Sequence, residues 1–455
     1  MQQIGLRGRL PQLALDITMM ALVLGATLWL GLPLKPSATA TAGLRQRLGT
    51  DTERLITVLQ SRLRTVPNDG QAYSQLGLAY LQRVRETGDP AYYPKAEAVL
   101  QRALALQPDD YLATGAMGAL ALARHDFAAA LEWGERARRS NPRRTYAYGV
   151  TADAQIELGR YNQAVETLQT LVDLRPDPVA FARISYLREL YGDREGALDM
   201  MRRAANDGSS NPENAAWFRT QLGNLYFNQG DLAAAAGEYE QVLAALPGYV
   251  YALAGLGRVR LAQGRPTEAL ALFNQAAQTI PLPEFVITLG DLYQALGQPE
   301  AARQQYDLVR AIQRLYQANG VDLDLEMALF AADHEHAPPA TVDQAREAYG
   351  RRPDIQAADV LAWALYKAGD YQEAQHYSEQ SLRLGSQDAL KFFHAGMIAL
   401  GLGDSTKAKH DLEQALSLNP HFSILAAAEA RAVLRELTAA TRPAGGNQDE
   451  TSGRP

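Results

Sequence analysis

QLGNLYFNQGDLAAAAGEYEQVLAALPG, residues 221–248, holds two apolar stripes at helical spacing. Leu222, Leu225 and Tyr226 share one face, and Ala235, Tyr239, Val242 and Leu246 share another, as a period of 3.6 requires. Gly230 interrupts them, where a turn needs a residue that accepts positive φ. Pro247 then ends the second stripe, because it lacks an amide proton and its ring clashes backwards along a helix. The stretch therefore reads as two short helices folded back on each other. Such a pair cannot bury its own apolar surface and needs neighbours stacked on both sides.

The neighbours are present. Pro108, Pro142 and Pro176 are spaced by 34, as are Pro247 and Pro281. Ala96, Ala130 and Ala164 keep the same step, and so do Ala235 with Ala269 and Ala374 with Ala408. Leu222-Gly223-x-x-Tyr226 recurs as Leu76-Gly77-x-x-Tyr80 and Leu289-Gly290-x-x-Tyr293. Ala235-x-x-x-Tyr239 recurs as Ala269-x-x-x-Phe273 and Ala302-x-x-x-Tyr306. Glycine on the first helix and alanine on the second let the two approach closely, and the larger apolar residues fill the seams. This pattern resembles the tetratricopeptide repeat (TPR) family over roughly residues 71–420. The resemblance implies an all-α, right-handed superhelical solenoid of about ten helix-turn-helix units. It also implies a concave groove, lined by first helices, that accepts peptides, extended segments or helices of partner proteins.

Departures from the period mark boundaries. RETGDPAYYP is inserted between the helices of the first unit, and NDGSSNPEN extends the fourth. Ala302 and Ala374 are 72 apart, with Ala345 between them as the alanine of a degenerate unit. Thr50-Asp51-Thr52-Glu53 reads as a capping box for a leading helix that ends at Pro67. Phe422 to about Leu437 reads as a closing helix. The expected organisation is a leading helix and regular array over 50–320, the degenerate repeat over 321–353, and the last two units with their cap over 354–437. A polar tail, 438–455, has the composition of a disordered segment.

Ahead of the array lie a short basic tail (1–12), an apolar segment (13–34) and a linker (35–49). ITMMALVLGATLWLGLPL, Ile17 to Leu34, carries no charge and follows Arg7 and Arg9. At about 1.5 Å per residue it reaches roughly 27 Å, near the thickness of a bilayer core. The expectation is a single-pass signal anchor in the lipid bilayer, with the repeats on the extracytoplasmic side. The alternative is a secreted chain cleaved within SATATA, residues 37–42. Lys35, Arg45 and Arg47 on the far side leave the charge rule for orientation undecided.

Composition narrows function. Net charge is −7, the wrong sign for a chain whose affinity comes from phosphate backbones, so nucleic acid is not an expected partner. There is no cysteine, which removes disulfides, zinc thiolates and a cysteine nucleophile. No P-loop, dinucleotide-binding glycine loop, nucleophile elbow or H-E-x-x-H helix is present, so neither enzyme activity nor a cofactor is expected. Repeat phase points Asn224, Phe227, Asn228 and Arg258 toward the groove, followed by Trp363, Tyr366, Lys367 and Phe393. The reading is a membrane-anchored scaffold or adaptor for proteins or peptides, in envelope assembly or export.

A competing reading starts from ALFAADHEHAPP, residues 328–339, at the end of the degenerate unit's first helix. Six of the seven histidines lie beyond residue 330. His376 and His410 are 34 apart and read as outer-face residues; His421 reads as a turn residue. Asp333, His334, Asp359 and His394 lie on three successive first helices, close enough to converge as a polar patch, or as a small-ligand or metal site. The plainer interpretation makes them helix ends and packing residues.

Overall fold

The computed structural model describes residues 44–208, 211–335 and 339–440. Among these, the chain forms 22 helices and no strand. α1 (Leu44–Thr65) leads. Five pairs follow: α2 (Gly70–Thr87) and α3 (Tyr92–Leu106), α4 (Tyr111–Ala123) and α5 (Phe127–Ser140), α6 (Tyr146–Glu157) and α7 (Tyr161–Leu174), α8 (Pro178–Leu190) and α9 (Arg194–Asp207), α10 (Pro212–Asn228) and α11 (Leu232–Ala245). Five more complete the array: α12 (Val250–Ala262) and α13 (Pro266–Thr279), α14 (Pro283–Ala295) and α15 (Pro299–Ala318), α16 (Asp324–His334) and α17 (Pro339–Arg351), α18 (Ile355–Ala368) and α19 (Tyr371–Ser381), α20 (Ala389–Gly401) and α21 (Ser405–Leu418). α22 (Ala426–Ala440) closes the chain.

Local chemistry accounts for the pairs. Asp126 and Asp231 accept from the amides of Ala129 and Ala234, capping α5 and α11. Gly230 between α10 and α11 has φ +78°, as its turn demands. Across the pair, a Cβ on Gly223 would stand 2.6 Å from the Tyr239 ring, so only glycine permits that contact. Ala235 is fully buried opposite.

Two boundaries differ from the sequence expectation. α1 begins at Leu44, so residues 44–49, expected as linker, are helical, and Thr50–Glu53 lies inside the helix. Thr52 docks α1 on α2 instead of capping it, its hydroxyl donating to Glu86 Oε1 at 2.6 Å. The closing helix begins at Ala426, because Phe422 is held in a turn and packs 5.8 Å from the Phe393 ring. The apolar segment 13–34 and most of the tail 438–455 lie outside the described residues; no described helix is long and apolar enough to cross a membrane.

Successive turns of the array touch. The Ile355 amide donates to Tyr161 Oη at 2.9 Å, Arg352 Nη2 donates to Glu157 Oε2 at 2.6 Å, and Tyr316 Oη donates to the Gly88 carbonyl at 3.1 Å, bridging 194, 195 and 228 residues of chain. Arg85 of α2 pairs with Glu213 of α10, 128 residues away and less than one turn along the array. Leu81, Val84 and Tyr93 share one apolar core with Val309, Ile312, Tyr316 and Val321. Six to seven periods therefore make one turn, and the first units pack on the seventh and eighth.

Candidate binding groove

Two cavities open on the inner face of the second half of the array. The first, about 340 Å³, is walled by Asn224 and Phe227 of α10, Tyr251 and Arg258 of α12, and Glu284, Thr288 and Asp291 of α14. The second, about 270 Å³, is walled by α14, α16, α18 and α20 through Glu284, Phe330, Asp333, His334, Trp363, Lys367, Phe393 and His394. Residues 420–431, the turn before α22 and its first helical residues, cross between them and contribute walls to both.

Six of the eight groove residues named from repeat phase line these cavities: Asn224, Phe227, Arg258, Trp363, Lys367 and Phe393. The other two do not. Asn228 turns toward the preceding unit and donates to Glu189 Oε1 at 3.4 Å. Tyr366 stacks on Trp363 with centroids 4.8 Å apart, which commits its ring to packing. Phe227, Trp363 and Phe393 are themselves buried, so they offer the cavities little free surface.

The first cavity carries one ordered polar chain. Arg258 Nη2 donates to Asn224 Oδ1 at 2.7 Å, and that oxygen also accepts from Tyr239 Oη at 2.6 Å. The guanidinium lies over the Phe227 ring, 4.9 Å from its centroid. Enclosure by protein pushes the Glu284 carboxyl up to about 7, against the opposing pull of Arg258.

In the second cavity, three of the four residues of the polar patch meet. Trp363 Nε1 donates from the indole edge to Asp333 Oδ1 at 2.7 Å, and His394 stacks on the indole face with centroids 4.1 Å apart. Asp333 and His394 thus both contact one indole, at its edge and on its face. His334 Nε2 is 2.8 Å from Asp291 Oδ1, which also accepts from Tyr306 Oη at 2.9 Å. Asp359 lies behind this wall, buried, with Oδ2 3.0 Å from His394 Nδ1 and Oδ1 unpartnered. Enclosure within the concave face raises the Asp333 pKa, while the charges of His394 and His334 oppose it. Burial disfavours charge on His334, but its hydrogen bond to Asp291 and the charges of Asp291 and Asp333 outweigh this and raise its pKa.

The patch is therefore a set of hydrogen-bonded pairs distributed around Trp363. Among the described residues, no three His, Asp or Glu side chains are placed to hold a metal ion. His376 and His410 are exposed on second helices, and His421 sits in the turn before α22, as their spacing suggested, although His421 also lines the first cavity. His336 lies outside the described residues. Sequence reasoning missed Glu284, Thr288 and Asp291, and it missed the return of residues 420–431 into the groove. Only the tertiary path of the chain brings these together.

Comparison with known family profiles finds the repeat unit. Tetratricopeptide-repeat profiles match residues 91–145 and 220–282 (TPR_16), 121–185 (TPR_19), 355–395 (TPR_10) and 392–422 (TPR_8). No curated protein matches the chain. Among solved structures, the human IFIT1 dimer with PPP-AAAA is similar at 15% identity and TM-score 0.48, covering 72% of this chain and 77% of that one. The APC/C hetero-tetramer Cut9-Hcn1 is similar at 14% identity and TM-score 0.37, covering 87% and 84%. PilW, a type IV pilus biogenesis factor, is similar at 19% identity and TM-score 0.37, covering 45% and 93%. The helix pairs, their period and the matched profiles lead to one assignment: among the described residues the chain is an all-α helical-repeat solenoid, and the matched segments are tetratricopeptide repeats.

Proposed function

We propose that this protein is a non-catalytic scaffold that holds a protein partner in its concave groove, tethered to a membrane by residues 13–34. The observation that carries the reading is the pair of cavities on the inner face. They are walled by side chains such as Glu284 and Lys367 that the repeat seams do not need. A groove of this kind takes an extended or helical segment, with anchors set into pockets and a polar rim. The uncharged run Ile17 to Leu34 supports the tether, with the repeats on the extracytoplasmic side and a role in envelope assembly or export.

Affinity capture with the full chain tests this. The expected result is a stoichiometric protein partner whose recovery falls when Arg258→Ala and Lys367→Ala are combined. Recovery unchanged by that pair, or no stoichiometric partner, overturns the groove reading. Protease access in intact and broken cells checks the side of the membrane. A small molecule in the second cavity is the competing occupant, favoured by the polar groups gathered around Trp363; native mass spectrometry of the purified protein distinguishes the two.

A further inference from the structure

The second cavity has an imbalance of charge. Glu284, Asp291, Glu326, Asp333 and Glu429 line it, against Lys367 and two histidines. Most of these groups already have occupations. His334 holds Asp291, His394 holds Asp359, and Trp363 donates to Asp333. Lys367 Nζ lies on the Trp363 face, 4.5 Å from its centroid. Glu326 Oε1 faces His125 Nδ1 at 3.7 Å, too far for a hydrogen bond, and its buried Oε2 has no partner.

Glu284 and Glu429 are different. Among the described residues, neither side chain has a hydrogen bond or an ion pair. Glu284 sits in the first turn of α14 on the wall common to both cavities, where the helix dipole gives only partial compensation. The nearby cation, Arg258, is engaged by Asn224 and by the Phe227 ring. Glu284 is half-buried, so its carboxylate is partly withdrawn from water with no cation bonded to it, and enclosure raises its pKa. Phe330, Trp363 and Phe393 complete the walls. The faces of Trp363 and Phe330 are already stacked on His394, Tyr366 and His334, so these rings offer apolar contact to an aliphatic stem, and the carboxylates supply the attraction for an ammonium or guanidinium head.

We propose that the second cavity receives the side chain of a lysine or arginine from the bound partner, its cationic head paired with Glu284 and Glu429 and its stem against Phe330, Trp363 and Phe393. This deepens, and rests on, the groove-binding reading above. It gives that groove a recognition element, a single basic anchor in the partner segment.

The test is calorimetric titration of the full chain with acetyl-Ala-Ala-Arg-Ala-Ala-amide and its lysine counterpart. The same peptides with citrulline or norleucine at the centre serve as neutral isosteres. The expected result is binding of the cationic peptides about tenfold or more tighter than their isosteres. Glu284→Gln removes that preference, and Glu429→Gln, at the exposed rim and without consequence for folding, reduces it about threefold. Equal affinities for charged and neutral peptides, no binding of any of the four, or a preference that survives both substitutions together would each overturn the proposal. If a partner protein is captured but the double substitution changes neither capture nor peptide preference, the basic anchor fails and the groove reading stands. If the peptides behave as expected and no partner is captured, the groove reading fails and the cation site stands.

Discussion

Arg352, between α17 and α18, reaches back one full turn of the solenoid to donate to Glu157 at the end of α6, 2.6 Å away and 195 residues earlier. Both side chains are buried, and Arg352 Nε also donates to Asp354 Oδ2 at 2.9 Å while its guanidinium covers the Phe127 ring. Burial pushes the Glu157 carboxyl up, and the Arg352 charge holds it down. Removing one partner strands the other in a dry interface. Arg352→Met is expected to cost about 3–5 kcal/mol in urea unfolding, and the double variant Arg352→Met, Glu157→Leu is expected to recover much of that loss. A single-variant cost below about 1 kcal/mol would mean that the two turns do not bear on each other here.

The close approach at Tyr239 offers a test of packing. Cβ atoms on Gly223 and Gly255 would lie 2.6 and 2.5 Å from its ring, and the ring cannot yield because it is fully buried with its hydroxyl bonded to Asn224. Gly255→Ala should therefore destabilise by about 1–3 kcal/mol. Gly237→Ala, on α11 with open space around the added methyl, should stabilise by about 0.5–1 kcal/mol. Thermal unfolding of the two variants side by side checks the opposite signs.

His334 predicts a pH dependence. Its folded pKa is raised above the ordinary 6.5, so the native state holds the proton more tightly than the unfolded chain. The stabilisation is fully present below the unfolded pKa and is lost as pH rises through the folded one. His334→Gln should therefore cost most near pH 5.5 and least near pH 8.5, read from the difference in Tm between variant and parent across that range. A cost that grows with pH would contradict the Asp291 pairing.

Glu284 works in the same direction with the opposite consequence for a variant. Its folded pKa of about 7 exceeds the ordinary 4.5, so its contribution is present below pH 4.5 and is lost as pH rises through about 7. Above that, the ionised side chain is a burden. Glu284→Gln is expected to match the parent near pH 4 and to exceed it by about 1 kcal/mol at pH 8, allowing for partial solvent screening. Denaturant titrations at the two pH values measure this directly.

The local architecture was legible because it is written at short range. Turn glycines, seam alanines and terminating prolines each act within one unit, and their period of 34 fixes the pairing of neighbours. Groove-facing positions followed from phase, which is why Asn224, Arg258 and Trp363 reached cavity walls. Asn228 and Tyr366 failed for a reason that phase does not encode: side chains at the groove's edge turn toward whichever neighbour offers a bond or a ring. The contacts between turns left no trace. Tyr161 and Ile355 sit in ordinary repeat positions, and nothing in either marks the other as a partner. His125 shows the limit from another side. It occupies the place of a turn glycine with φ +62°, and the sequence alone does not reveal that it is buried against the next turn near Glu326.

The closure between turns bears on how the chain is made. A linear array can fold behind the ribosome, each unit docking on the one just finished. Here Tyr161 must wait for Ile355, 194 residues later, which at ordinary synthesis rates of 5–20 residues per second is about 10–40 s. Until α15 is made, the faces of Leu81, Val84 and Tyr93 that share its core have no such cover. Such long-range closure raises contact order and slows the final step. A fragment ending before residue 299 lacks α15 and leaves that apolar surface bare, so it should be less soluble than the whole protein.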